Sequence, residues 1–376
     1  MLVNYEYPPL GGGAGNATHC IGQALVRQGH DVRVVTSAFG ELQAANGEEP
    51  TPRVIRLRAR RRRVDRSNYA EMLSFVVTAA RVLPRLLRAE PAEGLIVFFS
   101  LPCGPLGWLA RRRFGTPYVI SLRGGDVPGA EARVGAMHRL LAPLRRAVLR
   151  RALAVVANSP GLARLSEQAD HVATAFVPNG VDIDYFSPPM QSMHNESCVQ
   201  FLFAGRFQPQ KNLFVLLDCF SAALERSSCP LRLNLTGDGF QRAGLEAHAH
   251  KLGIADRISW QGWLDKPVLR EAYRQADVFL NPSLYEGMPN TVLEAMACGL
   301  PVIASRVMGN LDLVADGVTG LLFDLDKPGD FTAAMVMLAD DAARRARMGV
   351  RAIEAVRARY TWDATAAQYA ALFRRD

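Results

Sequence analysis

Two glutamates spaced eight residues apart are the strongest candidates for ligand chemistry in this sequence of 376 residues. A glycine and a proline separate Glu286 from Glu294 and disfavour a continuous helix, so we expect Glu286 in a loop and Glu294 in the helix that follows. The two carboxylates can then face one pocket from different elements. The first amides of that helix, near Asn290 and Thr291, could bind phosphate while a carboxylate accepts hydrogen bonds from sugar hydroxyls.

Two cations lie five residues apart on a second loop. An apolar run ends at Gly205, and a helix is expected to begin near Asn212. Arg206 and Lys211 therefore lie on a connection at the carboxyl edge of a sheet, where α/β folds bind ligands. Two cations that converge there suit a diphosphate. Two solvated loop charges are the alternative that the local sequence leaves open.

A glycine-rich loop occurs near the start of the chain. Residues 11–15 follow a short strand and precede a segment of helical spacing. Backbone amides in such a loop can approach a phosphate or sugar without an intervening Cβ. The loop matches neither the dinucleotide fingerprint with its ribose-binding acid nor the P-loop, so a purely structural turn is an equal alternative.

Short apolar runs rich in Val, Ile and Phe alternate with segments of helical spacing, which predicts parallel α/β sheets. The order of strand, glycine loop and helix occurs near residue 11 and again from Gly205. We therefore expect two α/β domains joined by the turn-rich stretch 177–196. After a short first strand at 1–4, the predicted strands are 32–36, 95–99, 118–122, 155–157, 201–204, 231–236, 278–280 and 301–304.

Positive charge is concentrated in the first half of a chain whose formal net charge is +8. Residues 1–178 contain 24 arginines, no lysine and 13 acidic residues, whereas residues 179–376 contain 20 basic and 23 acidic residues. The first half should therefore attract an anionic partner, and nucleic acid, membrane and phosphorylated substrate are the candidates. The arginine run 58–63 lacks zinc spacing, a recognition helix and interleaved aromatics, so we expect no nucleic-acid binding.

Two segments of the first half, 73–88 and 134–151, mix Arg with Leu and Val at helical spacing. Such segments can rest as amphipathic helices on an anionic lipid surface. They can equally be ordinary domain helices with one solvated face.

The six cysteines are scattered and form no CxxC pair, which predicts reduced thiols and a cytoplasmic location. We expect no signal peptide and no membrane span. The shortness of the first strand suggests a natural start upstream of Met1. No His/Cys cluster has ligand spacing and no acidic pair demands a cation, so we expect neither a metal nor a cofactor.

In combination, these motifs make the chain resemble the GT-B glycosyltransferases of family 4, the group 1 glycosyl transferases, which are retaining enzymes with nucleotide-sugar donors. The resemblance covers nearly the whole chain, and the combination is more specific than any single motif. Its elements are Tyr7-Pro8-Pro9 with the following glycines, 29–32, Asn158-Ser159, 178–182, Gly205-Arg206 with Lys211, 237–239, and the glutamates 286 and 294.

The resemblance implies an α/β fold of the GT-B type, with two Rossmann-like doubly wound domains facing across a cleft. Residues 1–180 would form a basic acceptor-binding domain, and residues 181–360 would form the nucleotide-sugar-binding domain. Residues 361–376 would form a helix that crosses back to the first domain.

The resemblance also implies roles for individual residues. Arg206 and Lys211 would neutralise the donor diphosphate as it leaves, because charge grows on that group in an oxocarbenium-like transition state. Glu294 would bind the ribose hydroxyls, and Glu286 would lie beside the donor sugar. The other implied donor-binding positions are Gly12, Gly13, Gly205, Gly237, Asp238, Gly239, Trp263, Leu264, Asn290, Thr291 and Val292.

One position departs from the family pattern. Where many members carry His-Gly after the strand 118–122, this chain has Arg123, with Asp126 three residues later. A permanent cation would then replace an imidazole at the donor sugar, and Asp126 could bind the sugar or the acceptor, which makes both candidate catalytic residues. An internal salt bridge between the two is the alternative.

The predicted function is that of a cytoplasmic, membrane-peripheral glycosyltransferase. It would move a sugar with retention from a UDP- or GDP-sugar to a glycan or lipid-linked acceptor in polysaccharide or glycoconjugate biosynthesis. The alternatives are a sugar-nucleotide epimerase or a phosphorylase of the same fold, and a catalytically silent membrane-associated scaffold.

Overall fold

A computed structural model describes residues 1–39, 51–63, 67–130, 135–189 and 198–374 of the chain. The chain divides into two compact units. The first unit contains Met1–Gly180 together with Trp362–Asp376, and the second contains Val181–Thr361. Part of the predicted linker, residues 190–196, lies outside the described residues.

The first unit is built on a parallel sheet that has seven strands within the described ranges. The strands are β1 (Leu2–Val3), β2 (Arg33–Ser37), β3 (Arg53–Leu57), β4 (Leu95–Phe98), β5 (Tyr118–Leu122), β6 (Ala154–Ala157) and β7 (Ala175–Phe176). Their spatial order is β3-β2-β1-β4-β5-β6-β7, the order of a doubly wound Rossmann-like sheet. The helices are α1 (Gly13–Arg27), α2 (Tyr69–Ala89), α3 (Gly104–Phe114), α4 (Gly135–Leu140), α5 (Ala142–Arg151) and α6 (Pro160–Asp170).

The second unit repeats this plan with a parallel sheet of six strands in the part of the chain that is described. The strands are β8 (Val199–Ala204), β9 (Leu231–Thr236), β10 (Ile258–Gly262), β11 (Val278–Asn281), β12 (Val302–Ser305) and β13 (Gly320–Phe323), in the order β10-β9-β8-β11-β12-β13. The helices are α7 (Leu213–Leu224), α8 (Arg242–Lys251), α9 (Lys266–Gln275), α10 (Asn290–Ala297), α11 (Asn310–Leu313), α12 (Pro328–Asp340) and α13 (Ala342–Arg359). The α/β class with two doubly wound sheets, as predicted, is therefore confirmed.

The last helix, α14 (Trp362–Ala371), packs in the first unit. Its buried Trp362 and Tyr369 share a hydrophobic cluster with Ile21 of α1. An ion pair of 2.8 Å between Arg27 and Asp363 adds a polar contact between the two helices. The chain therefore returns to its first unit because α14 completes the apolar layer over α1.

The two arginine-rich segments differ in structure. Segment 73–88 lies within the single helix α2, whereas segment 134–151 forms two helices, α4 and α5, that are interrupted at Leu141. Val134 lies outside the described residues. Arg145 of α5 is almost fully buried and binds both carboxylate oxygens of Asp170 at 2.8 Å, so part of this segment serves the interior of the first unit.

No helix within the described ranges is both long and apolar enough to span a membrane. All six cysteines lie in these ranges and are free thiols, as predicted. The described residues also contain no group of three or more His, Cys, Asp or Glu side chains arranged to hold a metal ion.

Candidate active site

The loops that follow β8 and β11 meet in the second unit. These strands are parallel neighbours, so their carboxyl ends lie side by side at one edge of the sheet. Two hydrogen bonds join the loops: the Leu284 amide donates to the Gln210 carbonyl at 2.8 Å, and the Gln210 side chain donates to the Tyr285 carbonyl at 2.9 Å. The sheet order therefore brings together residues that are 75 positions apart.

Lys211 and Glu286 form an ion pair where these two loops meet. Lys211 Nζ and the Ser283 hydroxyl both donate to Glu286 Oε1, the hydroxyl at 2.7 Å. The two charged side chains are only 14% and 8% exposed, so the pair is largely withdrawn from water. Within the described residues, the ammonium and Glu286 Oε2 have no other hydrogen-bond partner, which leaves both with capacity for a ligand.

Glu294 lies on α10 and Glu286 lies in the preceding loop, so the predicted division between loop and helix is confirmed. The hydroxyl of Tyr273, a buried residue of α9, donates to Glu294 Oε2 at 2.9 Å. Burial raises the pKa of Glu294 to about 7, while the Tyr273 hydrogen bond and the charge of Lys266 oppose this shift. Glu294 Oε1 accepts no hydrogen bond from the residues described.

The start of α10 supplies the amides expected near a phosphate. The helix begins at Asn290, and no side chain caps it. Helix N-termini attract anions because their first amides lack partners within the helix. The Val292 amide donates to the Pro289 carbonyl at 3.2 Å, so it is already engaged within the helix start.

Two glycines allow the loops after β8, β9 and β10 to pack closely. The Gly205 amide donates to the Thr236 carbonyl at 2.9 Å, and the Gly237 amide donates to the Gly262 carbonyl at 2.7 Å. Gly237 has a φ of +122°, and a Cβ there would lie 1.9 Å from the Gly205 carbonyl oxygen. A Cβ at Gly239 would lie 2.3 Å from the Phe207 carbonyl oxygen. Any larger residue at either position would therefore separate these loops.

Four further predicted positions lie at the same edge of the sheet. Asp238 accepts a hydrogen bond of 2.7 Å from the Gly239 amide, and its other oxygen lies 3.8 Å from Arg242. Trp263 is 62% exposed, and Leu264 is half-buried. An exposed indole of this kind offers an apolar face to a planar ligand. Arg206 follows directly after Gly205 and is half-buried.

The glycine loop of the first unit leads into α1 as predicted. Gly12 precedes the helix, which begins at Gly13, and no side chain caps its amides. Gly11 has a φ of +90°, and a Cβ there would lie 2.5 Å from Cδ of Glu6. The loop therefore lies directly against the Glu6 carboxylate, a residue that the sequence analysis did not single out. Its only sequence signal is an acid placed just before the Tyr7-Pro8-Pro9 motif.

Arg123 and Asp126 make different contacts from those expected. The Arg123 guanidinium donates to Asn179 Oδ1 at 2.6 Å and lies 4.8 Å from the centre of the Phe98 ring. The Asp126 carboxylate accepts the backbone amides of Arg123 at 2.9 Å and of Ser100 at 2.6 Å, and burial raises its pKa. The two side chains therefore form no salt bridge with each other. Their hydrogen-bond partners named here all belong to the first unit.

Tyr273 and Ser283 are further residues that sequence reasoning missed. Ser283 lies only three residues before Glu286, so its contact with the Glu286 carboxylate could have been inferred from the sequence. Tyr273 is a buried tyrosine in an amphipathic helix, and nothing in its local sequence distinguishes it from a core residue.

The two doubly wound units, with charged residues at the carboxyl edge of the second sheet, define a GT-B glycosyltransferase. Residues 12–180 match the model of a family described as "Glycosyl transferase 4-like domain", and residues 199–341 match that of "Glycosyl transferases group 1". The chain belongs to this family of group 1, family 4 glycosyltransferases.

Individual proteins agree with this assignment. A D-inositol 3-phosphate glycosyltransferase of Xylanimonas cellulosilytica is 30% identical over 385 residues, covering 92% of this chain and 88% of that protein. The fold is similar to that of sucrose-phosphate synthase from Thermosynechococcus elongatus, with a TM-score of 0.85, 24% identity and coverage of 99% and 97% of the two chains. It is also similar to Anabaena HepE in complex with UDP-glucose, with a TM-score of 0.75, 18% identity and coverage of 98% and 97%.

Proposed function

We propose that this glycosyltransferase moves a sugar, with retention of anomeric configuration, from a UDP- or GDP-sugar to a glycan or lipid-linked acceptor. The observation that carries the proposal is the pairing of Lys211 with Glu286 at the joined ends of β8 and β11. The pair combines a cation for a diphosphate with a carboxylate for a sugar. The capture of HepE with UDP-glucose supports a nucleotide-sugar donor for the same fold.

The proposed chemistry depends on charge that develops as the donor bond breaks. Negative charge grows on the departing diphosphate, and preorganised cations stabilise it more in the transition state than in the ground state. Lys211, with Arg206 on the same loop, supplies that charge without a metal ion. The acceptor attacks from the face that the diphosphate leaves, and its proton passes to a phosphate oxygen of the leaving group. Glu294 binds the ribose through its open oxygen.

The donor proposal is tested by calorimetry with UDP, GDP, ADP and their sugar conjugates, in the presence of EDTA. We expect one base to bind the wild type, and we expect Glu294→Ala to weaken that binding by roughly 10- to 100-fold, since hydrogen bonds to a charged group contribute about 1.5–3 kcal/mol. The control is Glu225→Ala. It removes a carboxylate that follows the C-terminal end of α7, whereas the site lies at the N-terminal end of that helix.

Each outcome of the screen has a defined meaning. Binding that requires a divalent cation would contradict the metal-free part of the proposal, and no binding by any nucleotide would contradict the donor proposal as a whole. Donor conversion without an acceptor would favour the epimerase, and a requirement for inorganic phosphate would favour the phosphorylase.

The anomeric configuration of the product, read by NMR, tests retention. Inositol phosphate belongs in the acceptor panel because the Xylanimonas relative is named for it.

We further propose that the first unit works against an anionic membrane surface. Support comes from α2, where Tyr69, Leu73 and Val77 form an exposed apolar stripe, at 59%, 62% and 41% exposure. The stripe continues along the same helix with exposed arginines at 81, 85 and 88. The only acid inside α2, Glu71, is buried in the capping box of that helix. An apolar stripe with flanking arginines suits a bilayer that carries negative lipids.

The arginine run beside α2 adds to this face. The Arg60 amide donates to the Ser74 hydroxyl at 2.8 Å, and the Thr78 hydroxyl donates to the Arg58 carbonyl at 3.3 Å. Residues 58–62 therefore lie alongside the helix, with exposed arginines at 58, 60 and 62. Asp65, the acid nearest to this run in sequence, lies outside the described residues. Among the described residues, the acids nearest in sequence are Glu71, which is buried, and Glu90 just after the far end of α2.

Vesicle flotation tests the membrane proposal. We expect binding to phosphatidylglycerol vesicles that weakens with added salt, and little binding to phosphatidylcholine. Leu73→Glu should lower the partition coefficient roughly tenfold, because it removes apolar contact and adds a repelled charge. Val350→Glu on α13, where the valine is 56% exposed, is the matched control in the second unit. Equal binding by wild type and Leu73→Glu would exclude this face as the docking surface.

A further inference from the structure

The Tyr273 side chain is held so that its hydroxyl can reach only one partner among the described residues. The ring is fully buried and packs against Phe186 and Phe279, at centroid distances of 5.9 and 5.7 Å. Its hydroxyl donates to Glu294 Oε2 at 2.9 Å. This close packing restrains the ring, so the hydroxyl constrains the direction of that carboxylate.

Other titratable groups face Glu294 from the elements around it. Lys266, in the first turn of α9, contributes positive charge, and its ammonium lies 4.6 Å from the centre of the Tyr185 ring. Cys298 directly follows α10, one turn after Glu294, and burial beside Glu294 raises the pKa of its thiol to about 12. The thiol is therefore uncharged at neutral pH. Tyr273 and Lys266 are then the groups that favour the charged form of Glu294 against its burial.

We propose that Tyr273 is a positioning residue for the donor: it orients the Glu294 carboxylate towards the ribose diol and, by donating to Oε2, favours the charged form of that carboxylate. The inference rests on the proposed role of Glu294 in donor binding. It adds a proton-linked step to that role, because a diol donates its hydrogen bonds to a carboxylate and not to a carboxylic acid.

The direction of the pH effect follows from this geometry. Burial brings the pKa of Glu294 to about 7, so the empty site is partly protonated near neutral pH. Nucleotide affinity should therefore be full at higher pH and fall as the pH drops through 7, with a proton released on binding. Removing the Tyr273 hydroxyl removes a group that lowers the pKa of Glu294. The pH at which half of the affinity is lost should therefore rise.

The test measures, at a series of pH values, the dissociation constant of the nucleoside diphosphate sugar found in the donor screen, because its phosphates lack the terminal proton that titrates at about pH 6–7. Tyr273→Phe is compared with wild type and with Tyr118→Phe, which removes another buried tyrosine hydroxyl, one that donates to the Val148 carbonyl in the first unit. We expect the midpoint for Tyr273→Phe to rise by about 1–2 pH units, because one hydrogen bond to a charged group corresponds to roughly that shift. Tyr118→Phe should keep the midpoint of the wild type.

Two further arms keep the test independent of how well Tyr273→Phe folds. Glu294→Gln should bind the donor weakly with no pH step, and the 2′,3′-dideoxy analogue of the same nucleoside diphosphate sugar should bind the wild type without that step. An equal loss of affinity for Tyr273→Phe at every pH, or a wild-type midpoint retained in Glu294→Gln, would overturn the inference and leave the proposed function intact. A wild type that binds no nucleotide at any pH would overturn both.

Discussion

Lys211→Ala is expected to lower kcat by about 10²–10³-fold, which is the usual effect of removing one preorganised group that stabilises transition-state charge. Lys211 is the ammonium that the structure joins to Glu286, and its remaining donors are unused within the described residues. Lys211→Arg keeps the charge and should retain more activity than the alanine variant. Steady-state kinetics with the donor from the nucleotide screen measures the effect.

The same substitution should also destabilise the second unit. It leaves Glu286, only 8% exposed, with the Ser283 hydroxyl as its remaining partner, and such a charge costs about 1–3 kcal/mol. Adding Glu286→Gln to Lys211→Ala should restore the unfolding midpoint, which tests whether the unpaired carboxylate causes the loss of stability. Lys251→Ala on α8 controls for the loss of any lysine. A kcat within about threefold of wild type would show that Lys211 has no part in transition-state stabilisation.

Gly237→Ala is expected to destabilise the second unit by roughly 3–5 kcal/mol. The added Cβ would lie 1.9 Å from the Gly205 carbonyl oxygen, and the residue would also keep a strained φ of +122°. The loops after β8 and β9 would have to separate, so donor affinity should fall as well. Urea unfolding and nucleotide calorimetry measure the two effects.

Gly253→Ala is the matched control for this prediction. Gly253 also has a positive φ, +71°, but a Cβ there would meet nothing within 4 Å. It should therefore cost only the backbone strain, about 1–2 kcal/mol, and leave donor affinity unchanged. If the two alanine variants unfolded at the same urea concentration, close packing of the loops would not be the reason for a glycine at 237.

The fold was predictable wherever strands are buried on both sides. The run at 118–122 coincides with β5, whose five residues are all buried, because interior strands of a parallel sheet are largely apolar. The run at 231–236 coincides with β9, where Leu alternates with polar residues. Strands β3, β7, β10 and β13 were missed, and these four are the edges of the two sheets. Edge strands are partly exposed, as in Arg53–Leu57, so polar residues interrupt their apolar pattern.

The candidate site was predictable to the extent that local chemistry determines it. Gly287 and Pro289 separate the loop that carries Glu286 from the helix that carries Glu294, and no distant residue is needed for that division. The position of Lys211 in a connection after a strand follows in the same way. The hydrogen bond from Arg123 to Asn179 could not be predicted, because the two residues lie 56 positions apart and nothing local indicates the contact.

The sequence by itself therefore determined the class of fold, the interior strands and the types of residue placed at strand ends, because these follow from local periodicity and backbone preference. The tertiary structure alone decided which of those residues meet. Sheet order placed β8 beside β11 and so paired Lys211 with Glu286, and the packing of α9 aimed Tyr273 at Glu294. Such pairings depend on strand order and on close packing between distant segments, and neither is encoded within the span of one element.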